Sequence, residues 1–274
     1  MKSVLPFLFR TPSTNSTPTS LNSFASKITL VTMLIIGISL YVRSSVGTTP
    51  MIADINGVGW LVGALATIYT FVAAFTIVEV WSQYNSASSL IAREGKAVTA
   101  IWNYVDYLDD KNVDKAMKTA LLIYLKKAVS EMRDAAKGIR AIHPSPELKT
   151  IQHVVDGITF NDHRDAAVFP PLMNAYEELS SIRSERIESS ITRLPALLKS
   201  FVLLLSTMLV IGFAFLGFVN TWFYAIAIGF VSIIVVYVYT LMNDLDNPYE
   251  GIWNVSFEAF EQAEKYITGT KHQS

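Results

Sequence analysis

The chain has 274 residues, of which 51% are hydrophobic and only 16% charged, against about 25% charged in an ordinary soluble protein. So few charges do not cover the surface of a water-soluble fold of this size, which all but excludes an all-soluble reading. The formal net charge of -1 leaves no basic footprint of the kind a nucleic-acid partner needs. The absence of cysteine removes a disulfide framework, a thiolate metal site and a cysteine nucleophile.

The apolar residues fall into four segments that meet or approach the roughly 20 residues of a bilayer span. Residues 1–23 precede them. They include the low-complexity, turn-prone run TPSTNSTPTS at 11–20, and residues 1–20 are expected to be mostly disordered. The first span runs from Phe24 to Val42, with Lys27 near its start and Arg43 just after it. A signal peptide is the alternative, but the run starts late and Ser44–Gly47 resembles no clean cleavage site. The second span, Val58 to Trp81, is long enough to cross with some tilt.

From Ser82 to Leu108 there is no proline and one glycine, Gly95. The second span is therefore expected to run on as one helix into the cytoplasm. Val113, Met117, Ala120, Leu121, Tyr124, Leu125, Val129 and Met132 then recur at helical spacing and predict an amphipathic helix. It carries Asp114 near its start and closes at Lys137–Gly138. Short helices and loops are expected over 139–170. Pro170–Pro171 is expected to open a helix over 171–192, whose charges (Glu177, Glu178, Arg183, Glu185, Arg186, Glu188) alternate in sign. Residues 82–199 hold 16 basic and 15 acidic side chains, which reads as a solvated helical bundle. The third span, Ser200 to Val219, is parted from the fourth, Trp222 to Met242, only by Asn220 and Thr221, which predicts a tight hairpin. Trp60, Trp81, Trp222, Tyr224, Tyr237 and Tyr239 lie near span ends, as interfacial aromatic residues do.

Lys2, Arg10 and Lys27 face no acid in 1–27, and Arg193 and Lys199 precede the third span. The positive-inside rule then places both termini and the long middle region in the cytoplasm of a multi-pass cell-membrane protein. Arg43 alone argues mildly the other way. The fold class expected is all-α integral membrane. The layout is a disordered cytoplasmic segment 1–23, a transmembrane hairpin 24–81, a cytoplasmic helical domain 82–199, a second hairpin 200–242 and a cytoplasmic segment 243–274.

No nucleophile elbow, phosphate loop, dinucleotide fingerprint or zinc-protease motif is present. His143, His153 and His163 are ten apart, which is no ligand spacing. No catalytic residue, metal site or cofactor is expected, and the chain reads as a non-enzyme. Glu79 is the one acid within a span. An ionisable residue there marks a functional position; the competing reading is an ion pair to Lys199, Arg193 or Lys27, or exposure at the interface. Gly59 and Gly63 form a GxxxG step that Thr67 and Phe71 continue. Such a stripe packs helices closely, or it lines a narrow axis with Phe75 and Val78, where an apolar constriction gates by dewetting.

Two motifs add a resemblance. The second span ends VEVWSQYNSA (78–87), and LDNPYEG (245–251) follows the fourth. These resemble the W-x-Q-Y-like and N-P-F-G elements of bestrophin channels. The match is closer to the bestrophin-like family of bacterial and plant membrane proteins, through FTIVEVWSQYNSASSLIAREGKAV (75–98), RLPALL before the third span and LDNPYEGIWNVSFEAF (245–260). It covers roughly 58–110 and 180–262. The resemblance implies a homopentameric ion channel lined by its second helix. Aligning Trp81, Gln83 and Tyr84 on the family element puts Gly63, Thr67 and Phe71 at the three neck positions, which are usually bulky and apolar. Here only Phe71 keeps that pattern, so the neck is wider or shifts to Phe71, Phe75 and Val78. The resemblance also makes Asp246, Asn247, Pro248 and Tyr249 buttresses of a cytoplasmic collar. Animal members carry a basic residue near the position of Glu79 and pass anions, so an acid there argues against anion selectivity. Asp244, Asp246 and Glu250 lack the oxygen density that calcium needs, and calcium gating is not expected. The partners expected are membrane lipids, inorganic ions and further copies of the chain, without nucleic acid. The alternative function is a non-conducting scaffold or sensor whose cytoplasmic helices bind a protein.

Overall fold

The computed structural model describes residues 18–46, 55–108, 110–139, 141, 145–159 and 163–269, and most of them are helical, with no strand among them. Among the described residues eight helices follow one another: α1 (Pro18–Val46), α2 (Ile55–Asp106), α3 (Lys111–Ala136), α4 (Pro146–Asp156), α5 (His163–Ile191), α6 (Ala196–Ala214), α7 (Thr221–Leu245) and α8 (Glu258–Gly269). Four of these, α1, α2, α6 and α7, are long and apolar enough to cross a membrane. The chain divides into two compact units. One holds α1, α2 through Ser82, Arg193–Asn247 and Gly251–Trp253; the other holds Gln83–Thr192, Pro248–Glu250 and the chain from Asn254 on.

In the first unit α1 and α7 pack antiparallel. The Phe24 ring meets Tyr237 edge-on at 6.0 Å, and Ile36 reaches the bare backbone of Gly229. Small residues permit such approach where lipid offers no hydrophobic drive between helices. Gly212 of α6 does the same for α2, because a Cβ there would stand 2.9 Å from Val62. Arg43 is turned inward. It is 5% exposed, donates to the Phe218 carbonyl and lies 4.6 Å over the Tyr224 ring.

Three expectations about spans and helices are corrected. The third span does not reach Val219: α6 ends at Ala214, and 215–220 connect it to α7. Asn220 is extended (φ -86°, ψ 120°), and its side chain accepts from the N–H groups of Trp222 and Phe223. This N-cap starts α7 and excludes Asn220 from any preceding helix. Hydropathy cannot see such a break, since both sides are apolar. The first helix begins at Pro18, before the apolar run; residues 1–17 lie outside the described ones. The helix expected from 171 starts at His163, with Pro170 and Pro171 inside it. Proline supplies no N–H to the turn before it, so the carbonyls of Ala166 and Ala167 lose their usual helical donors there.

The second unit is a helical bundle. Ile91, Val98, Ile101 and Trp102 of α2 pack with Met117, Leu121 and Met132 of α3, Ile151 of α4, Leu172 and Leu179 of α5, and Phe260 and Ile267 of α8. Asp110 caps α3 by accepting from the N–H groups of Asn112 and Val113. Gly138 ends it at φ 78°. At Gly95 a Cβ would meet the Ala259 carbonyl oxygen at 2.9 Å, so α8 approaches α2 closely only because that residue is glycine.

Candidate functional site

The second helix carries most of the residues singled out in the sequence. Val62, Tyr69, Ala73, Thr76 and Val80 are buried, at 6% exposure or less. They recur at intervals of three, four and seven and form one face. Phe71, Phe75 and Val78 point away from that face and are 62%, 73% and 66% exposed. Gly63, Thr67 and Glu79 are exposed as well. The Thr67 hydroxyl donates to the Gly63 carbonyl at 2.9 Å and so is spent on its own helix. The whole stripe is therefore brought to the exposed side of one helix.

The collar residues divide between the two units. In the first, Asp246 is 4% exposed. One of its carboxylate oxygens accepts the Leu194 N–H at 2.7 Å and the other accepts Lys199 Nζ at 2.5 Å. Asn247 Oδ1 accepts from Arg193 at 2.9 Å. Asp244, which the sequence reading did not single out as a collar residue, folds the chain back: its carboxylate accepts the N–H groups of Ile252 and Trp253. That hairpin needs Gly251, whose φ is 95° and whose Cβ would lie 2.2 Å from Asp244. Trp81 packs edge-on against Trp253 at 6.0 Å. In the second unit Tyr84 donates to the Asn254 carbonyl at 3.3 Å, the Val255 N–H donates to the Pro248 carbonyl at 2.8 Å, Tyr249 is buried and Gln83 is half-buried. Arg193 and Lys199 are thus structural partners of the 244–247 segment. Their place was readable only as basic residues flanking a span.

A buried ionic cluster in the second unit contradicts the solvated reading for two of the α5 charges, Arg183 and Arg186, while Glu177, Glu178, Glu185 and Glu188 are exposed. Arg183 and Arg186 are 2% and 1% exposed. Arg186 holds Glu94 through two hydrogen bonds, at 2.5 and 3.1 Å, and reaches Glu131 at 3.2 Å. Arg183 donates to Glu131 at 2.6 Å, and the Tyr124 hydroxyl donates to Glu94 at 2.5 Å. Two arginines against two glutamates leave no net charge, which is what tolerates their burial. Burial and then the Glu94 carboxylate push the Tyr124 hydroxyl well above its usual range. For Arg186, burial alone would weaken the guanidinium, but the facing Glu94 carboxylate and its hydrogen bonds outweigh it and raise its pKa. The signal was present in the spacing: Leu179, Ile182, Arg183 and Arg186 share one helical face, as do Ile91, Glu94, Val98 and Ile101. Alternation of sign hid it.

The Bestrophin-like domain family model matches residues 19–260. The chain belongs to the bestrophin-like family of membrane proteins. Solved structures agree at the level of fold. A single-substitution variant of a bacterial bestrophin homologue from Klebsiella pneumoniae superposes with a TM-score of 0.70 at 12% identity, covering 89% of this chain and 100% of that one. A second such variant gives 0.70 at 11%, covering 89% and 98%. A variant of a protein described only as a membrane protein gives 0.69 at 14%, covering 89% and 100%. No curated protein matches the chain significantly in sequence.

Proposed function

We propose that this chain is the subunit of a homo-oligomeric ion channel, most simply a pentamer, whose pore is lined by the exposed face of α2. The observation that carries this reading is the split of that helix. One face is sealed against the chain's own helices, and the opposite face presents Phe71, Phe75 and Val78, largely uncovered by the described residues. Around a symmetry axis these side chains form an apolar neck, with Thr67 and Gly63 widening one end and Phe71 setting the constriction. A narrow apolar ring resists wetting and so gates ion passage.

Glu79 lies two residues before Trp81 at the end of the same stripe and puts a ring of carboxylates beside the neck in the assembly. Such a ring favours cations. The Asp246–Lys199 and Asn247–Arg193 contacts brace the collar that holds α2 in place. Both termini and the 82–199 region face the cytoplasm of a cell-membrane protein, with lipids, ions and identical subunits as its partners.

Ion flux from proteoliposomes of the purified protein tests this. The expected result is cation-selective flux that increases in Phe71→Ala and loses its cation preference in Glu79→Gln. No flux from either the wild type or Phe71→Ala, with insertion verified, contradicts it and leaves the non-conducting scaffold.

A further inference from the structure

The first unit carries a second feature that the channel reading does not use. α1 and α6 each pack on α7 and leave a groove between them, of about 420 Å³, floored by α7. Its walls include Val31, Ile35, Leu203, Val210, Val235 and Val236. Thr207 and Thr240 also line it. Their hydroxyls donate to the Leu203 and Val236 carbonyls of their own helices, so the surface presented is almost wholly apolar. Hydroxyls paired in this way make no demand on an occupant, and the Ser206 hydroxyl, which also borders the groove, is buried beneath its surface, so the face offered suits an alkyl chain.

One end of the groove is marked by charge. Lys27 stands one turn before Val31 on α1, and residues four apart share a helical face. It is exposed, and the ion pairs among the described residues do not involve it. Lys199 stands one turn before Leu203 on α6, but its ammonium is committed to Asp246. Tyr239 lies at the same end, since the start of α1 meets the end of α7 at the Phe24–Tyr237 contact. An apolar slot headed by an ammonium outside the ion pairs of the described residues and by a phenol has the polarity of a single phospholipid, with its chain inward and its phosphate at the rim.

We propose that this groove holds the acyl chain of an anionic phospholipid, whose headgroup phosphate is bound by Lys27. The site is independent of α2 and of ion conduction. A lipid seated there bridges α1 and α6.

Native mass spectrometry of the delipidated, purified full chain, after addition of phosphatidylglycerol or phosphatidylcholine, tests the proposal. Wild-type protein is expected to retain phosphatidylglycerol in preference to phosphatidylcholine. Lys27→Gln, an exposed position, should weaken phosphatidylglycerol retention about fivefold, the effect of one lysine near an anionic headgroup, and leave phosphatidylcholine unchanged. Val31→Trp, which fills the groove from its open side, should reduce both. Equal retention of the two lipids by wild type, or unchanged retention in Lys27→Gln, overturns it. So does a lipid-free oligomer that Val31→Trp dissociates, because a second copy would then be the occupant.

Discussion

Carboxylates placed at chain turns do much of the local work in this protein. Asp244 and Asp246 sit one turn beyond the apolar part of α7, and neither is a loose surface charge. Asp246 collects a backbone N–H and an ammonium, and Asp244 collects two backbone N–H groups. Charged acceptors of this kind are worth more than neutral ones. The Asp244 hairpin depends on Gly251, the only residue type that adopts φ 95° without strain and leaves room for the carboxylate. Gly251→Ala is therefore expected to lower unfolding stability by about 2 kcal/mol or more, from strain and displaced hydrogen bonds together. Thermal unfolding in detergent measures it, and a midpoint equal to wild type contradicts the role assigned to Asp244. Arg43 shows the same economy: its charge is folded under Phe218 and Tyr224.

At the scale of elements, the buried cluster ties three helices together. Glu94 belongs to α2, Tyr124 and Glu131 to α3, and Arg183 and Arg186 to α5. Tyr124→Phe keeps the packing and removes one hydrogen bond to Glu94, whose charge Arg186 still holds. The expected cost at neutral pH is about 1–2 kcal/mol. The pH dependence separates this from a simple packing loss. The folded state raises the Tyr124 pKa, so its contribution is fully present below about pH 10 and falls as pH rises through the tyrosine range, where the unfolded chain gives up its proton first. Wild type should lose more stability than Tyr124→Phe between about pH 8 and pH 11. Parallel losses contradict a protonated Tyr124 in the native bundle.

The same elements show how far sequence reasoning reaches. Helical spacing of Val113, Met117, Leu121, Tyr124 and Met132 revealed α3, its glycine stop included, because period and capping are local properties. The unbroken run after Trp81 revealed that α2 continues well beyond a span. The end of α6 was not readable, because Phe215–Val219 is as apolar as the helix before it and only the Asn220 cap reports the turn. Arg183 and Arg186 were misread because burial of a charge depends on partners distant in the chain, Glu94 and Glu131. The α2 stripe was readable as a set of residues, while its outward direction follows from tertiary packing.

For the molecule as a whole, the proposed assembly rests on the difference between the outer face of α2 and those of the other spans. The outer faces of α1, α6 and α7 are apolar and suit lipid. The α2 face adds a glycine, a threonine and a glutamate to its exposed phenylalanines, and that mixture suits an axis lined by copies of itself. The bestrophin-like fold is consistent with both. That Phe71 and Val78 line an ion path can be tested by thiol chemistry, because the chain lacks cysteine. Single Phe71→Cys and Val78→Cys variants, reconstituted in planar bilayers, should carry current that a charged, membrane-impermeant thiol reagent blocks. Wild type should be indifferent to the reagent. Currents in both variants that the reagent leaves unchanged, with labelling of the thiols confirmed by mass, would contradict a pore along α2.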